Sequence, residues 1–277
     1  MRRLHGNRNA FTMMELIFVI VVMGILSKFG VELFKQIYEN YARTTITASL
    51  MSKTEVAVLE IANRLTYRIK DSVIVSTGTG NTAFRPLISA NGNENVFEWV
   101  GIDNDGWDEG KWSGIIDLDS PNTIYTQLAS PGTIELPNNG ALFFNGSKVD
   151  ATNSFGWHGN TASDLYIYDT PATSLGGLIP FTTNSFAPGN DIYEYYQVAG
   201  SAYALVLDTA NQKLYLHNAY YPWNGETYGG TAYLMADNVS TFTLQKTGDI
   251  IKIELCLHNN DFMGEGEHAI CKTKIVF

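Results

Sequence analysis

Few residues in this chain have the types and spacing that chemistry needs. The most informative is one carboxylate, Glu15, set inside the apolar run Phe11 to Leu26, FTMMELIFVIVVMGIL. A charge inside a would-be membrane helix costs about 2.5 kcal/mol at mid-bilayer and less near the interface, so its presence asks for a use. A second candidate is Asp103-Asn104-Asp105-Gly106-Trp107-Asp108-Glu109. Calcium takes about six to eight oxygens, which makes Asp103, Asp105 and Asp108 a candidate calcium loop. The EF-hand pattern is incomplete there: Trp107 holds the fifth position and the twelfth is not Glu. The competing reading is an acidic, solvated turn with Trp107 and Trp112 packed locally.

The remaining reactive types are sparse. Cys256 and Cys271 have fourteen residues between them. In an exported chain such a pair closes a disulfide, worth up to about 3 kcal/mol on chain-entropy grounds, and two reduced buried thiols are the alternative. His5, His158, His217, His258 and His268 form no close metal pair, and Gly-x-Ser-x-Gly, His-Glu-x-x-His and phosphate-cradling glycine loops are missing from the sequence. The expectation is a chain that is not an enzyme and needs no cofactor beyond the calcium candidate. Tyr193, Tyr195, Tyr196, Tyr220, Tyr221 and Trp223 crowd into two short runs, which suits either a contact surface or sheet packing.

The element that must position Glu15 is a long helix. Ten residues, MRRLHGNRNA, precede the apolar run and carry Arg2, Arg3 and Arg8 with no acid. Positive residues of this kind stay on the cytoplasmic side, which places everything beyond the helix outside the cytoplasm. A cleavable secretory signal would end at a small-x-small site, but SKFGVELFKQ follows Leu26. A membrane anchor needs about 20 apolar residues; Phe11 to Phe34 qualifies if Lys28 and Glu32 snorkel or pair. From Val31 through Thr77 there is neither Gly nor Pro, and Leu59, Ala62, Leu65, Ile69 and Val73 recur at helical spacing. The pattern predicts one helix from about Thr12 to about Ser72, roughly 90 Å long, with Gly24 and Gly30 its only weak points.

A short basic leader, a small residue and then Phe-Thr-x-x-Glu at the head of an apolar helix resembles the class III signal of type IV prepilins and the pseudopilins of type II secretion. The resemblance implies that a prepilin peptidase cuts between Ala10 and Phe11 and methylates the new amino terminus at Phe11. It also implies that Glu15 pairs with the methylated amino terminus of a neighbouring subunit during assembly. The family usually has Gly where this chain has Ala10, and major pilins commonly have a kinking Pro where it has Glu32. The segment LMADNVSTFTLQKTGDIIKIELCLH is similar to the terminal sheet of the J-type pseudopilin and W-type minor pilin group.

Beyond Gly78 the texture changes to short β-like runs between Gly, Asn, Asp and Pro. Expected strands are Val96–Ile102, Gly114–Leu118, Thr133–Leu136, Ala141–Phe144, Leu165–Tyr168, Tyr193–Val198, Tyr203–Asp208, Lys213–Asn218, Ser240–Lys246, Ile250–Leu257 and Ala269–Val276. Hairpin turns are expected at Asp208–Gln212 and Thr247–Asp249, and segments 76–95, 145–163 and 171–191 as surface loops. Phe242 and Leu244, and Ile251, Ile253, Leu255 and Leu257, alternate with polar residues, the pattern of an antiparallel sheet with one buried face. The pattern implies an α+β fold with the second half of the helix covering that sheet, and the resemblance implies that it is pilin-like. Residues 1–10 would be leader, 11–34 the membrane and assembly helix, 35–75 its amphipathic continuation, and 76–277 an extracytoplasmic head.

From residue 71 onward there are eight basic and 23 acidic residues. Phosphate backbones are held by Lys and Arg, so direct nucleic-acid binding by the head is not expected. The resemblance implies a minor pilin or pseudopilin that primes or caps a filament, with prepilin peptidase, other pilin-like subunits and the inner membrane as partners. The alternative is a membrane-tethered or pilus-tip adhesin, a ligand-binding module.

Overall fold

The computed structural model describes residues 12–78, 83–117, 123–125, 133–146, 149–167, 173–175, 178–180, 193–259 and 268–277. It divides into two compact units, the first ending at Ser49 and the second beginning at Leu50. One helix, α1 (Met13–Thr66), contributes to both.

In the first unit α1 runs unbroken past Gly24 and Gly30. Thr12 starts it, its carbonyl accepting from the N–H groups of Glu15 and Leu16 at 3.1 and 3.2 Å. In the polar stretch that follows the apolar run, two hydroxyls find partners within the helix. Thr44 and Thr45 donate to the carbonyls of Asn40 and Tyr41 at 2.8 and 2.9 Å, which satisfies side chains that otherwise compete with helix hydrogen bonds.

In the second unit α1 buries Leu50, Thr54, Ala57, Val58, Ile61, Ala62 and Leu65, a stripe at three-and-four spacing. The stripe is rotated from the expected one: Val58 and Ile61 point inward and Leu59 is exposed. The helix ends at Thr66, short of the expected Ser72, because sheet pairing captures the next residues. Arg68 bridges to Gly101, and the Ile69 N–H donates to the Val100 carbonyl at 2.9 Å. Asp71 then turns the chain with φ of 66°. Ile69 and Val73 are buried as expected, but as sheet-side residues rather than helical ones.

The strands are β1 (Ile74–Ser76), β2 (Arg85–Pro86), β3 (Val96–Ile102), β4 (Ile116–Asp117), β5 (Thr123–Tyr125), β6 (Thr133–Glu135), β7 (Ala141–Phe144) and β8 (Leu165–Ile167). They continue with β9 (Thr173–Leu175), β10 (Leu178–Pro180), β11 (Tyr196–Asp208), β12 (Lys213–Tyr220), β13 (Ala232–Ala236), β14 (Val239–Thr247), β15 (Ile250–Asn259) and β16 (His268–Val276). A short helix, α2 (Asn104–Asp108), follows β3. The central antiparallel sheet has the order β13-β12-β11-β3-β1-β2, with β7 and β8 added through β11. Strand β11 organises it. Tyr196 to Ala199 pair with β7, and from Ala199 on the strand pairs with β3, an irregularity between Ala199 and Ser201 carrying it past Gly200. Two expected strands are thus one. A second sheet has the order β14-β15-β16, and β10-β5-β4 and β6-β9 form smaller ones.

Both expected hairpins form, with Asp208 opposite Lys213 and Thr247 opposite Ile250. Phe242, Leu244, Ile251, Ile253, Leu255 and Leu257 are all buried. Phe242 meets Phe97 of the central sheet edge-on at 5.2 Å. Ion pairs from Lys53 to Asp237 and from Glu55 to Lys272 tie the packed half of α1 to the C-terminal sheet region. The architecture is a long N-terminal apolar helix on antiparallel sheets, an α+β fold.

Within the expected loop 145–163, the stretch 154–157 is core rather than surface. Phe155 and Trp157 are fully buried beside Phe143, Ala202, Tyr220 and Trp223. Gly156, at φ of 80°, lets this segment meet the chain at Pro222 and Trp223, where a side chain would lie 2.6 Å from the Trp223 Cα. Strand β7 reads as an unbroken apolar run because both its faces are covered: Ala141 and Phe143 join that cluster, while Leu142 and Phe144 join Trp112, Tyr166 and Tyr196.

Candidate functional site

Leu16, Ile17, Phe18, Val19, Ile20 and Val21 are consecutive and all exposed. At about 100° per residue such a run points in every direction around the helix. Exposure of large apolar side chains continues through Phe29, Phe34, Tyr38 and Tyr41, and α1 is long and apolar enough to cross a membrane. Fully burying one such side chain is favourable by about 1.5–3 kcal/mol, so covering this segment would be strongly favourable.

Glu15 lies in the first turn, with its N–H also 3.4 Å from the Thr12 hydroxyl. Thr-x-x-Glu is a helix-capping pattern, and a carboxylate there meets the positive end of the helix dipole. The motif that resembles a prepilin signal is therefore also a helix start. Ala10 and Phe11, the expected cut site, lie outside the described residues.

Cys256 and Cys271 form a disulfide, and they are directly opposed in the β15–β16 pairing. The acidic loop is folded as the helix α2. Asp103 caps it, its carboxylate accepting from the Gly106 N–H at 3.1 Å, while the Trp112 indole donates to the Asp103 carbonyl. Burial pushes the Asp103 carboxyl up, with the Gly106 hydrogen bond acting against it. Asp108 accepts from the Asn104 amide. Asp105 and Asp108 are both exposed, and among the described residues no three His, Cys, Asp or Glu side chains are grouped as metal ligands.

Histidine reasoning missed a buried polar cluster. Glu98 of β3 lies between His158, whose Nε2 is 2.8 Å from its Oε1, and Tyr220, whose hydroxyl donates to its Oε2 at 2.8 Å. All three side chains are buried or nearly so. The hydrogen bond to Glu98 raises the His158 pKa against the opposing effect of burial. Burial, together with the Glu98 charge, drives the Tyr220 hydroxyl well above its usual range. The cluster joins β3, β12 and the Trp157 segment by charge-assisted hydrogen bonds. The only sequence signal for it is an acid within the apolar strand VFEWVGI. Of the crowded aromatics, Tyr196, Tyr220 and Trp223 are core and Tyr195 is exposed.

No protein-family model, no curated protein and no solved structure matches this chain.

Proposed function

We propose that this chain is a minor pilin or pseudopilin, a subunit held in the inner membrane by α1 and then incorporated into a type IV pilus or type II secretion pseudopilus, which it primes or caps. The reading is carried by one observation: a helix apolar on all sides, with one carboxylate in its first turn, continues into a folded β head. A bilayer satisfies the apolar surface before assembly, and neighbouring helices satisfy it afterwards. The carboxylate then has a use. Inside a packed bundle a charge needs a partner, and the amino terminus of an adjacent subunit supplies one with strong attraction where water is excluded.

In this scheme prepilin peptidase cuts between Ala10 and Phe11 and methylates Phe11. Arg2, Arg3 and Arg8 keep the leader cytoplasmic. The head, closed by Cys256–Cys271, stands in the oxidising compartment where disulfides persist. Its role is assembly rather than catalysis, and the placement within the J- and W-type group rests on the C-terminal segment alone.

Mass spectrometry of the chain from its native membrane tests the proposal. A mature form beginning at methylated Phe11 is expected, and an intact Met1 overturns the reading. Glu15→Ala should still insert in the membrane but be lost from sheared filaments.

A further inference from the structure

Two cavities of about 460 and 400 Å³ in the second unit share Tyr67, Ile102 and Asn104 in their linings and so adjoin one another, making a two-part groove. The smaller cavity is lined by aromatic rings. Trp112 is fixed by its hydrogen bond to Asp103 and packs on Tyr196 at 5.9 Å. Trp107 lies on Trp112 at 4.7 Å and is itself exposed, as are Tyr195 and Tyr67. In the larger cavity Tyr203 carries the Arg64 guanidinium over its ring at 5.3 Å, with Tyr221 nearby. Asn63 lines the larger cavity and Asn145 and Gln197 the smaller, and their side chains make no hydrogen bond among the described residues.

We infer that this groove binds a neutral oligosaccharide, stacked on Trp107 and Tyr195 and hydrogen-bonded through the amides of Asn63, Asn145 and Gln197. Sugars match it in three respects. A pyranose has apolar C–H faces that cover an aromatic ring, and hydroxyl edges that both donate and accept, as a side-chain amide does. Two adjoining cavities, each within the usual size of ligand sites, give room for a chain of rings rather than one small molecule. Charge selects against anions: Asp103 and Asp105 line the larger cavity, and Arg64 is already paired with Glu60 at 2.6 Å. The inference does not rest on filament assembly, since every residue involved belongs to the second unit.

The test titrates cellohexaose, maltohexaose and the hexamer of N-acetylglucosamine, with tetramethylammonium as a cationic competitor class, into the full-length chain in a zwitterionic detergent without a sugar head group. The readout is tryptophan emission, checked by calorimetry. At least one hexaose should bind saturably. Trp107→Ala should weaken it by about tenfold or more and Tyr195→Ala by several-fold, while Trp107→Phe keeps most of the affinity. Because Trp107 and Tyr195 are exposed, both alanine variants should melt as the parent does, and either one suffices if the other misfolds. No saturable binding of any hexaose at millimolar concentration overturns the inference. So does unchanged affinity in a folded alanine variant, or a response to tetramethylammonium alone.

Discussion

From Met13 to Tyr41, α1 presents large apolar side chains on every side, whereas from Leu50 to Leu65 it buries a single stripe in the head. Backbone geometry is the same in both stretches; what differs is whether the partner surface belongs to this chain. The packed half is completed by folding. The other half keeps its apolar surface exposed.

Substitutions along α1 measure this contrast directly. Ile61→Ala should lower the stability of the head by about 2–5 kcal/mol, the cost of a cavity at a fully buried site, while Phe18→Ala leaves its melting unchanged. Equal losses from the two would erase the distinction. Reducing Cys256–Cys271, whose cysteines are 15 positions apart in sequence, should cost up to about 3 kcal/mol. Differential scanning fluorimetry with and without reductant reads this loss, and an unshifted midpoint would remove the disulfide from the account.

Arg68, just after α1, donates to the carbonyls of Leu65 at 2.7 Å and Asp249 at 2.9 Å, and lies 3.5 Å from that of Phe277. Arg68→Ala leaves these acceptors short of a donor and should cost about 1–3 kcal/mol. Chemical denaturation that places the variant on the parent curve would show the contacts to be incidental.

The Glu98–His158 pair sharpens the comparison through pH. His158 is raised in the fold, so its stabilisation is complete below its ordinary value of about 6.5 and fades as pH rises through the higher folded value. His217 runs the other way: burial lowers it, against the attraction of Glu98, so its contribution is lost as pH falls. The stability difference between the parent and His158→Gln should therefore be largest in mild acid and shrink above neutrality. A pH-independent difference would show that His158 is not the titrating partner. The smallest effect belongs to the exposed Lys53–Asp237 pair at 3.1 Å, where Lys53→Ala should cost under about 1 kcal/mol and less in high salt.

Legibility in the sequence followed the range of the interactions. Strands Val96–Ile102 and Ala141–Phe144 and both hairpins were readable because turn chemistry and apolar runs are local. The apolar helix and the position of Glu15 were readable for the same reason. The helix end was not, because Arg68 and Ile69 are drawn off by β3, a contact no local pattern encodes. Phe155 and Trp157 sit among Gly, Asn and Ser, which disguised a core segment as a loop. The groove was invisible because Tyr67, Trp107 and Tyr195 converge from distant parts of the chain.

Arg68 also defines a load path. Its guanidinium fastens the end of α1 to the β14–β15 turn and to the last residue after β16, and the disulfide rivets β16 to β15. The end of α1 is thus joined to the C-terminal sheet at the β14–β15 turn and beyond β16, in addition to the Lys53–Asp237 and Glu55–Lys272 pairs. Tension along α1 would meet the buried stripe from Leu50 to Leu65 and the ion pairs of Lys53 and Glu55 first, and the Arg68 anchorage would be the last fastening in line.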